Sequence, residues 1–405
     1  MMKKALSLLL VGAMTLSLAA CGSNSDDSAA TDSTTAEEST TTEASDSEGS
    51  GEAVFRIGGI GPTTGSAAVY GTAVERGAQI AVDEINAAGG INGYQIEFNF
   101  QDDENDAERS VNAYNTLKDW GMQILMGTVT STPCVAVVEN THEDNMFQIT
   151  PSGTAVECIQ YPNAYRMCFS DPNQGTESAK YIGENGLAST VAVIYDSSDV
   201  YSTGIYEAFA EEAANQGIEI VNVAAFTADN NTDFSVQVQQ ARDAGAELLF
   251  MPFYYTEASL VLAECNSQGY EPIFFGCDGM DGILAVENFD TALAEDLMYL
   301  APFVATSEDE QVQSFVTAYQ EAYDEVPNQF AADAYDSIYV IKAALEGAGA
   351  TPDMSVSDLC DAMTAAMADV TYSGVTGKDI TWGEDGEPNK APLVLQIKDG
   401  VAVEL

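Results

Sequence analysis

The 405-residue sequence contains a single histidine, His142, and only 13 Lys plus Arg against 64 Asp plus Glu. One imidazole excludes a histidine-based metal cluster and any two-histidine mechanism. A formal net charge of −51 repels a phosphate backbone, which argues against nucleic-acid binding. The seven cysteines include no C-x-x-C pair, so the common zinc and dithiol motifs are missing. No G-x-S-x-G elbow occurs either. Beyond residue 20 no apolar run approaches 18 residues, so the mature chain is not expected to span a membrane. Nothing in the sequence calls for a metal or an organic cofactor.

What is present divides into three parts. Residues 1–20 begin with Lys3 and Lys4 and continue as a largely apolar run from Ala5 to Ala20. The run is short for a bilayer span and ends Leu18-Ala19-Ala20-Cys21, as a secretory signal does. It resembles the lipobox of bacterial lipoproteins, which makes Cys21 the expected lipid anchor and places the protein on the extracytoplasmic face of the cell membrane. Residues 22–52 hold fourteen Ser or Thr and nine Asp or Glu, with no aromatic, Val, Leu or Ile. Such a segment buries too little apolar area to offset its ordering entropy, so a charge-extended tether is expected.

From Ala53 onward the hydrophobic pattern alternates between the two periods of regular structure. Strand-like runs at 53–60, 94–101, 122–126 and 146–150 interleave with helical spacing at 72–88, 107–120 and 133–143. The alternation restarts with helices at 174–186, 203–216, 233–244 and 256–268 and strands at 190–195, 218–225, 247–252 and 272–276. Repeated units of this size predict parallel sheets covered by helices on both faces. The fold class is therefore α/β, with two doubly wound series, about 53–171 and about 172–303, and with last segments, 304–380 and 381–405, that could return to either lobe. Residues 304–380 read as mostly helical, and Thr381-Trp382 with Leu393–Lys398 read as a strand pair. Ligands of open α/β sheets sit at the carboxyl ends of the strands, here in a cleft between lobes.

Several candidate motifs fail on their own terms. Gly58-Gly59-Ile60-Gly61-Pro62-Thr63-Thr64-Gly65 follows the first strand but has Thr64 where a dinucleotide fingerprint needs its last glycine. The acidic run Asp102-Asp103-Glu104-Asn105-Asp106 lacks EF-hand spacing and suits a helix N-terminus. His142 sits in a polar helix end and reads as a solvated side chain. Cys158 and Cys168 flank Tyr161-Pro162-Asn163 and could pair in an oxidising compartment, with buried free thiols as the other reading.

The strand exits are more informative. In the first half they are rich in hydroxyls: Gly127-Thr128-Val129-Thr130-Ser131-Thr132 and Pro151-Ser152-Gly153-Thr154. Hydroxyls beside free N–H groups at a helix start favour an anion. In the second half the exits offer Asp199 and Tyr201, Tyr254, and Asp278. An acid among aromatic faces favours an ammonium. Facing one another, the two sets suit a zwitterion, a free amino acid.

The body is similar to the solute-binding proteins of branched-chain amino-acid ABC importers over about 53–400. The matching stretches are IGGIGPTTGSAAVYG at 57–71, GAQIAVDEINAAGGINGYQIE at 77–97, MGTVTST at 126–132, ITPSGTA at 149–155, DPNQGTESAKYI at 171–182, DFSVQVQQAR at 233–242, FFGCDG at 274–279 and ITWGEDGE at 380–387. The resemblance implies a type I periplasmic-binding fold and no catalysis. It makes Ser131 and Thr154 the hydroxyls on the ligand carboxylate, with Ser152 and Gly153 as backbone contributors. Tyr201 and Tyr254 would close over the ligand, Asp278 would take the α-ammonium, and Tyr70 and Phe330 would be pocket walls. Three positions depart from the best-known members: Asp278 stands for a longer Glu, Ser152 for an alanine, and one extra residue precedes Tyr201. The expected partners are a free amino acid and an ABC permease, with the protein itself monomeric. A ligand-binding sensor for a small metabolite is the alternative, and an amidase on the same scaffold is a third.

Overall fold

The computed structural model describes residues 53–405. The signal, the Cys21 anchor and the tether expected from the sequence lie outside the described residues. Among the described residues no helix is long and apolar enough to cross a membrane.

The first sheet forms from β1 (Val54–Gly61), β2 (Gln95–Asp102), β3 (Ile124–Gly127), β4 (Phe147–Thr150) and β5 (Ala164–Arg166). Between them run α1 (Ala68–Ala87), α2 (Ala107–Trp120) and α3 (Ser131–Glu143). The spatial order is β2-β1-β3-β4-β5, all parallel. Helices cover both faces, which is why β3 and β4 are buried along their whole length; β3 is an unbroken apolar run, and the Gln148 and Thr150 of β4 are buried with the Gly127 and Thr128 carbonyls as acceptors.

The second sheet repeats the winding. Its strands are β6 (Thr190–Asp196), β7 (Glu219–Phe226), β8 (Leu248–Met251), β9 (Ile273–Gly276) and β10 (Met298–Ala301). Helices α4 (Asp171–Glu184), α5 (Val200–Gln216), α6 (Ser235–Asp243) and α7 (Tyr255–Gln268) pack around them. Next come α8 (Glu310–Tyr323), α9 (Gln329–Gly347) and α10 (Val356–Met367), which return to the first sheet's side, α9 lying along α1. The chain then re-enters the second sheet as β11 (Leu393–Lys398) and β12 (Val401–Glu404). That sheet runs β12-β11-β10-β9-β8-β6-β7, and its last two strands are antiparallel. In both sheets the strand order reverses beside the first strand, at β1/β3 and at β6/β8. These reversals leave crevices at the strand ends where α/β sheets hold their ligands.

The expected pairing of Thr381-Trp382 with Leu393–Lys398 is not observed. β11 pairs with β12 instead, and Trp382 makes only an isolated bridge to Pro388. The cause is the tight turn at 383–387, where the Gly383 N–H bonds the Glu387 carbonyl and the Trp382 indole donates to the Arg166 carbonyl at 2.8 Å.

Local chemistry explains the acidic run. Asp106 caps α2 by accepting from the Arg109 N–H at 2.9 Å. Asp102 accepts from the Thr63 N–H at 2.9 Å and the Thr64 hydroxyl at 2.5 Å, pinning the glycine-rich exit of β1. Helix α1 packs hard against that exit at Gly71, where a Cβ would stand 2.0 Å from the Pro62 carbonyl oxygen. Asp106→Ala is expected to lower stability by about 1 kcal/mol, read as a lower urea midpoint with an unchanged m-value. His142 is exposed and stacks on Tyr161, with ring centroids 4.0 Å apart.

Where the chain passes between sheets, a buried ion pair fixes its path. Lys390 Nζ lies 2.7 Å from Asp333 Oδ1 and also donates to the Met167 carbonyl at 3.0 Å and the Thr376 hydroxyl at 2.8 Å. One ammonium thus ties α9 to two of the connecting segments.

Candidate functional site

Helix α3 begins at Ser131, directly after the β3 exit, and its side chain is buried. The Ser131 Oγ accepts from the Thr154 N–H at 3.1 Å and the Ala155 N–H at 3.2 Å, with Thr154 Oγ1 at 3.4 Å. The two hydroxyls thus lie side by side, Ser131 already accepting two backbone N–H groups. Ser152 Oγ donates to the Val129 carbonyl at 2.6 Å, and the Gly153 N–H donates to Thr150 Oγ1 at 2.7 Å. These two residues frame the loop.

Arg166 braces the same loop from behind. Its buried guanidinium donates to the carbonyls of Gly153, Thr154 and Ala155 and pairs with Glu387 at 2.9 Å. The sequence reading assigned no role to this residue, the only base in β5.

The second sheet contributes an acid and aromatic rings. The Tyr201 hydroxyl donates to Asp278 Oδ1 at 2.6 Å and accepts from the Gly279 N–H at 3.0 Å. Tyr70, from α1, donates to the Gly279 carbonyl at 2.5 Å. The Tyr70 ring lies against Phe330 (4.2 Å), Tyr255 (4.9 Å) and Tyr254 (5.4 Å), and Tyr254 stacks on Tyr201 (4.9 Å). Aromatic residues from both sheets' helices therefore form one cluster around Asp278.

Helix α4 links the acid to the hydroxyl subsite. The Asp171 N–H donates to the Thr154 carbonyl at 2.9 Å, and three residues on, Gln174 Oε1 accepts from the Asp278 N–H at 3.0 Å. Spacing of three puts both side chains on one helix face. Asp171 is buried and no donor closes on either of its carboxylate oxygens. Gln174 Nε2 and Thr130 Oγ1 are likewise buried without partners. Buried polar atoms are nearly always paired, so this concentration of orphans makes the junction the candidate ligand site. Asp171 was passed over in the sequence because DPNQG reads as a helix start. The available signal was that this start follows a crossover between sheets.

Burial pushes the Asp278 carboxyl up to about 7 and Asp199 up to about 6. Burial likewise drives Asp171 well above the usual carboxylate range, with the Asp278 charge adding to it. The two sides touch directly: Thr132 Oγ1, on α3, donates to Asp199 Oδ1, at the cap of α5, at 2.9 Å. Beside Tyr254 a cavity of about 150 Å³ opens, with Thr132, Asp199 and Glu257 in its walls.

The family model described as periplasmic binding protein matches residues 54–402. The chain belongs to the periplasmic binding protein family. It is thus a solute-binding protein, working by capture rather than catalysis and outside the cytoplasm. Among its relatives is a Leu/Ile/Val-binding protein homolog of Brucella melitensis, 29% identical over 303 residues, covering 73% of this chain and 80% of the relative. The leucine-, isoleucine-, valine-, threonine- and alanine-binding protein of Pseudomonas aeruginosa is 27% identical, covering 76% and 82%. The crystal structure of the branched-chain amino acid transporter substrate binding protein LivJ from Streptococcus pneumoniae, in complex with isoleucine, superposes with a TM-score of 0.78. It is 28% identical and covers 87% of this chain and all of the other. The α/β fold with a cleft between two lobes is that of the family.

Proposed function

We propose that this protein is the capture component of an ABC importer for a branched-chain or other hydrophobic amino acid. It would be held at the outer face of the cell membrane by a lipid on Cys21 and would pass its ligand to a membrane permease. The observation that carries the reading is the buried hydroxyl pair of Ser131 and Thr154 on the first sheet's side and the buried carboxylates of Asp278 and Asp171 on the other, Asp171 with no donor on either oxygen. Ser131 and Thr154 receive the ligand carboxylate, framed by Ser152 and Gly153 and braced by Arg166. Asp278, with Asp171 beside it, takes the α-ammonium. Tyr70, Tyr201, Tyr254 and Phe330 enclose the aliphatic part. The printed names of the relatives support the same ligand class.

In this reading the lobes are 53–171 plus about 304–380 and about 172–303 plus 381–405, and ligand contacts from both drive closure. Shifting an open–closed balance from 1:99 to 99:1 takes about 5.5 kcal/mol of differential binding. Two or three charge-assisted hydrogen bonds supply that amount.

The test is titration calorimetry with L-leucine, L-isoleucine and L-valine, alongside leucinamide and 4-methylpentanoate. The amino acids are expected to bind, and each analogue, lacking one charge of the zwitterion, to bind at least tenfold more weakly. An absence of binding by any amino acid overturns the ligand class.

Affinity is also expected to depend on pH. With the Asp278 carboxyl at about 7 in the free protein, an ammonium arriving at lower pH must displace a proton. Affinity for leucine should therefore rise by up to about tenfold per unit from pH 5 towards 7 and flatten above it. Calorimetry in buffers of different ionisation enthalpy reads the released proton directly.

A further inference from the structure

Behind the proposed carboxylate subsite lie three buried cysteines that no ligand contact explains. Cys134 occupies the first turn of α3, one turn after Ser131, and Cys158 lies in the short turn at Val156–Ile159 that follows Thr154. The two pack together with Ala155. A Cβ placed on Gly153 would stand 3.2 Å from both sulfurs, so the two thiols converge over the bare glycine Cα. The Cys158 Sγ reaches the Ser131 carbonyl at 3.8 Å, and Gln148 Nε2 donates to the Cys134 Sγ at 3.5 Å. Cys168, the partner for Cys158 considered from the sequence, turns its thiol to the Gly153 carbonyl at 3.6 Å.

The two thiols differ in reactivity. A hydrogen bond from Cys158 draws the Cys134 thiol below its ordinary range, whereas burial pushes the Cys158 thiol up. The difference belongs to the packed pair, where the two sulfurs already share a hydrogen bond. All six described cysteines are free in this structure.

We propose that Cys134 and Cys158 close a disulfide when the chain folds outside the cytoplasm, tying the first turn of α3 to the turn after Thr154. The oxidant is a disulfide, on an exported oxidoreductase or a small molecule. One of the two cysteines, as thiolate, attacks one sulfur of that disulfide, forming a mixed disulfide and releasing one thiolate. The other cysteine loses its proton and attacks the bound protein sulfur, forming the Cys134–Cys158 bond and releasing the second thiolate. Two electrons and two protons thus pass to the oxidant, whose disulfide leaves as two thiols. The bond fixes the loops carrying Ser131 and Thr154 relative to one another. It joins residues 24 apart in sequence, so it also restricts the unfolded chain. Because both thiols are buried, the exchange belongs to the folding chain, before α3 packs on the 156–159 turn.

The full chain, denatured, reduced and then refolded across graded ratios of oxidised to reduced glutathione, tests this after alkylation, digestion and peptide mass mapping. The expected product is a peptide pair joined through Cys134 and Cys158. It should persist in Cys168→Ala and vanish in Cys134→Ala. Wild-type protein refolded under oxidising conditions should melt at a higher temperature than the same protein refolded reduced, a comparison that needs no variant. A dominant link through Cys158 and Cys168, or through any other pair, overturns the proposal. So does full alkylation of Cys134 and Cys158 at the most oxidising ratio. The outcome is independent of which ligand the cleft holds.

Discussion

Asp278→Asn is expected to weaken L-leucine binding by about a hundredfold while leaving the fold intact. The amide keeps the shape of the carboxyl, and its oxygen can still accept from the Tyr201 hydroxyl that now lies 2.6 Å away. The backbone contacts of Asp278 with Gln174 and Gln329 do not involve the altered group. What is lost is the charge facing an ammonium in a dry site. Breaking a buried ion pair by removing one partner costs about 3–5 kcal/mol, and tenfold in affinity corresponds to about 1.4 kcal/mol. Asp171 remains nearby and can still attract the ammonium, so the loss should fall at the lower end of that range. Adding Asp171→Asn to Asp278→Asn should abolish detectable leucine binding, by more than the product of the two single losses if they share one ammonium. Binding of 4-methylpentanoate, which has no ammonium, should not weaken in Asp278→Asn. Unchanged leucine affinity in that variant would remove Asp278 from the ammonium subsite.

Much of the architecture is readable before any coordinate is known. Strands such as β3 and β8 are covered by helices on both faces, so their apolar runs appear undiluted, and glycines such as Gly121 and Gly217 end helices in the left-handed conformation. The exits of the two series are also readable, because hydroxyls and acids at strand ends are visible as composition. The structure brings Ser131, Ser152, Gly153 and Thr154 together in one loop system, and Tyr70, Tyr201, Tyr254, Asp278 and Phe330 in one aromatic cluster. What joins the two groups was not readable. Asp171 is an ordinary helix-start acid in sequence. It becomes an unpaired, dry carboxylate only because α4 packs its first turn against the Thr154 carbonyl and beneath Gly204. The pairing of β11 with β12 was missed for a similar reason. Val401–Glu404 is short and half exposed, so its pattern carries little periodicity, and the turn at Asp399-Gly400 decides the register. Residues whose role is set by how whole elements pack leave no local mark.

Arg166 is the strongest case of that kind, and Arg166→Met is expected to lower both stability and affinity. The guanidinium is almost fully buried and lies between the 153–155 loop and the segment around Glu387. Its main chain continues the link, accepting from the Trp382 indole at 2.8 Å and donating to the Gly386 carbonyl at 3.2 Å. Methionine fills much of the aliphatic volume but leaves three carbonyls without their donor and Glu387 without its cation. Removing one partner of a buried charge network costs about 3–5 kcal/mol, a large share of the roughly 5–15 kcal/mol that holds an ordinary domain together. Freed of this brace, the loop should let the Thr154 N–H drift from Ser131, and leucine affinity should fall at least tenfold even well below the melting temperature. Arg166→Lys separates charge from geometry: a point charge satisfies one carbonyl at a time, whereas the planar fork holds several. The lysine variant should therefore recover part of the stability, measured by urea denaturation, and less of the affinity, measured by calorimetry. A methionine variant within about 1 kcal/mol of wild type, with unaltered affinity, would show that the loop holds its own shape and that Arg166 only fills space.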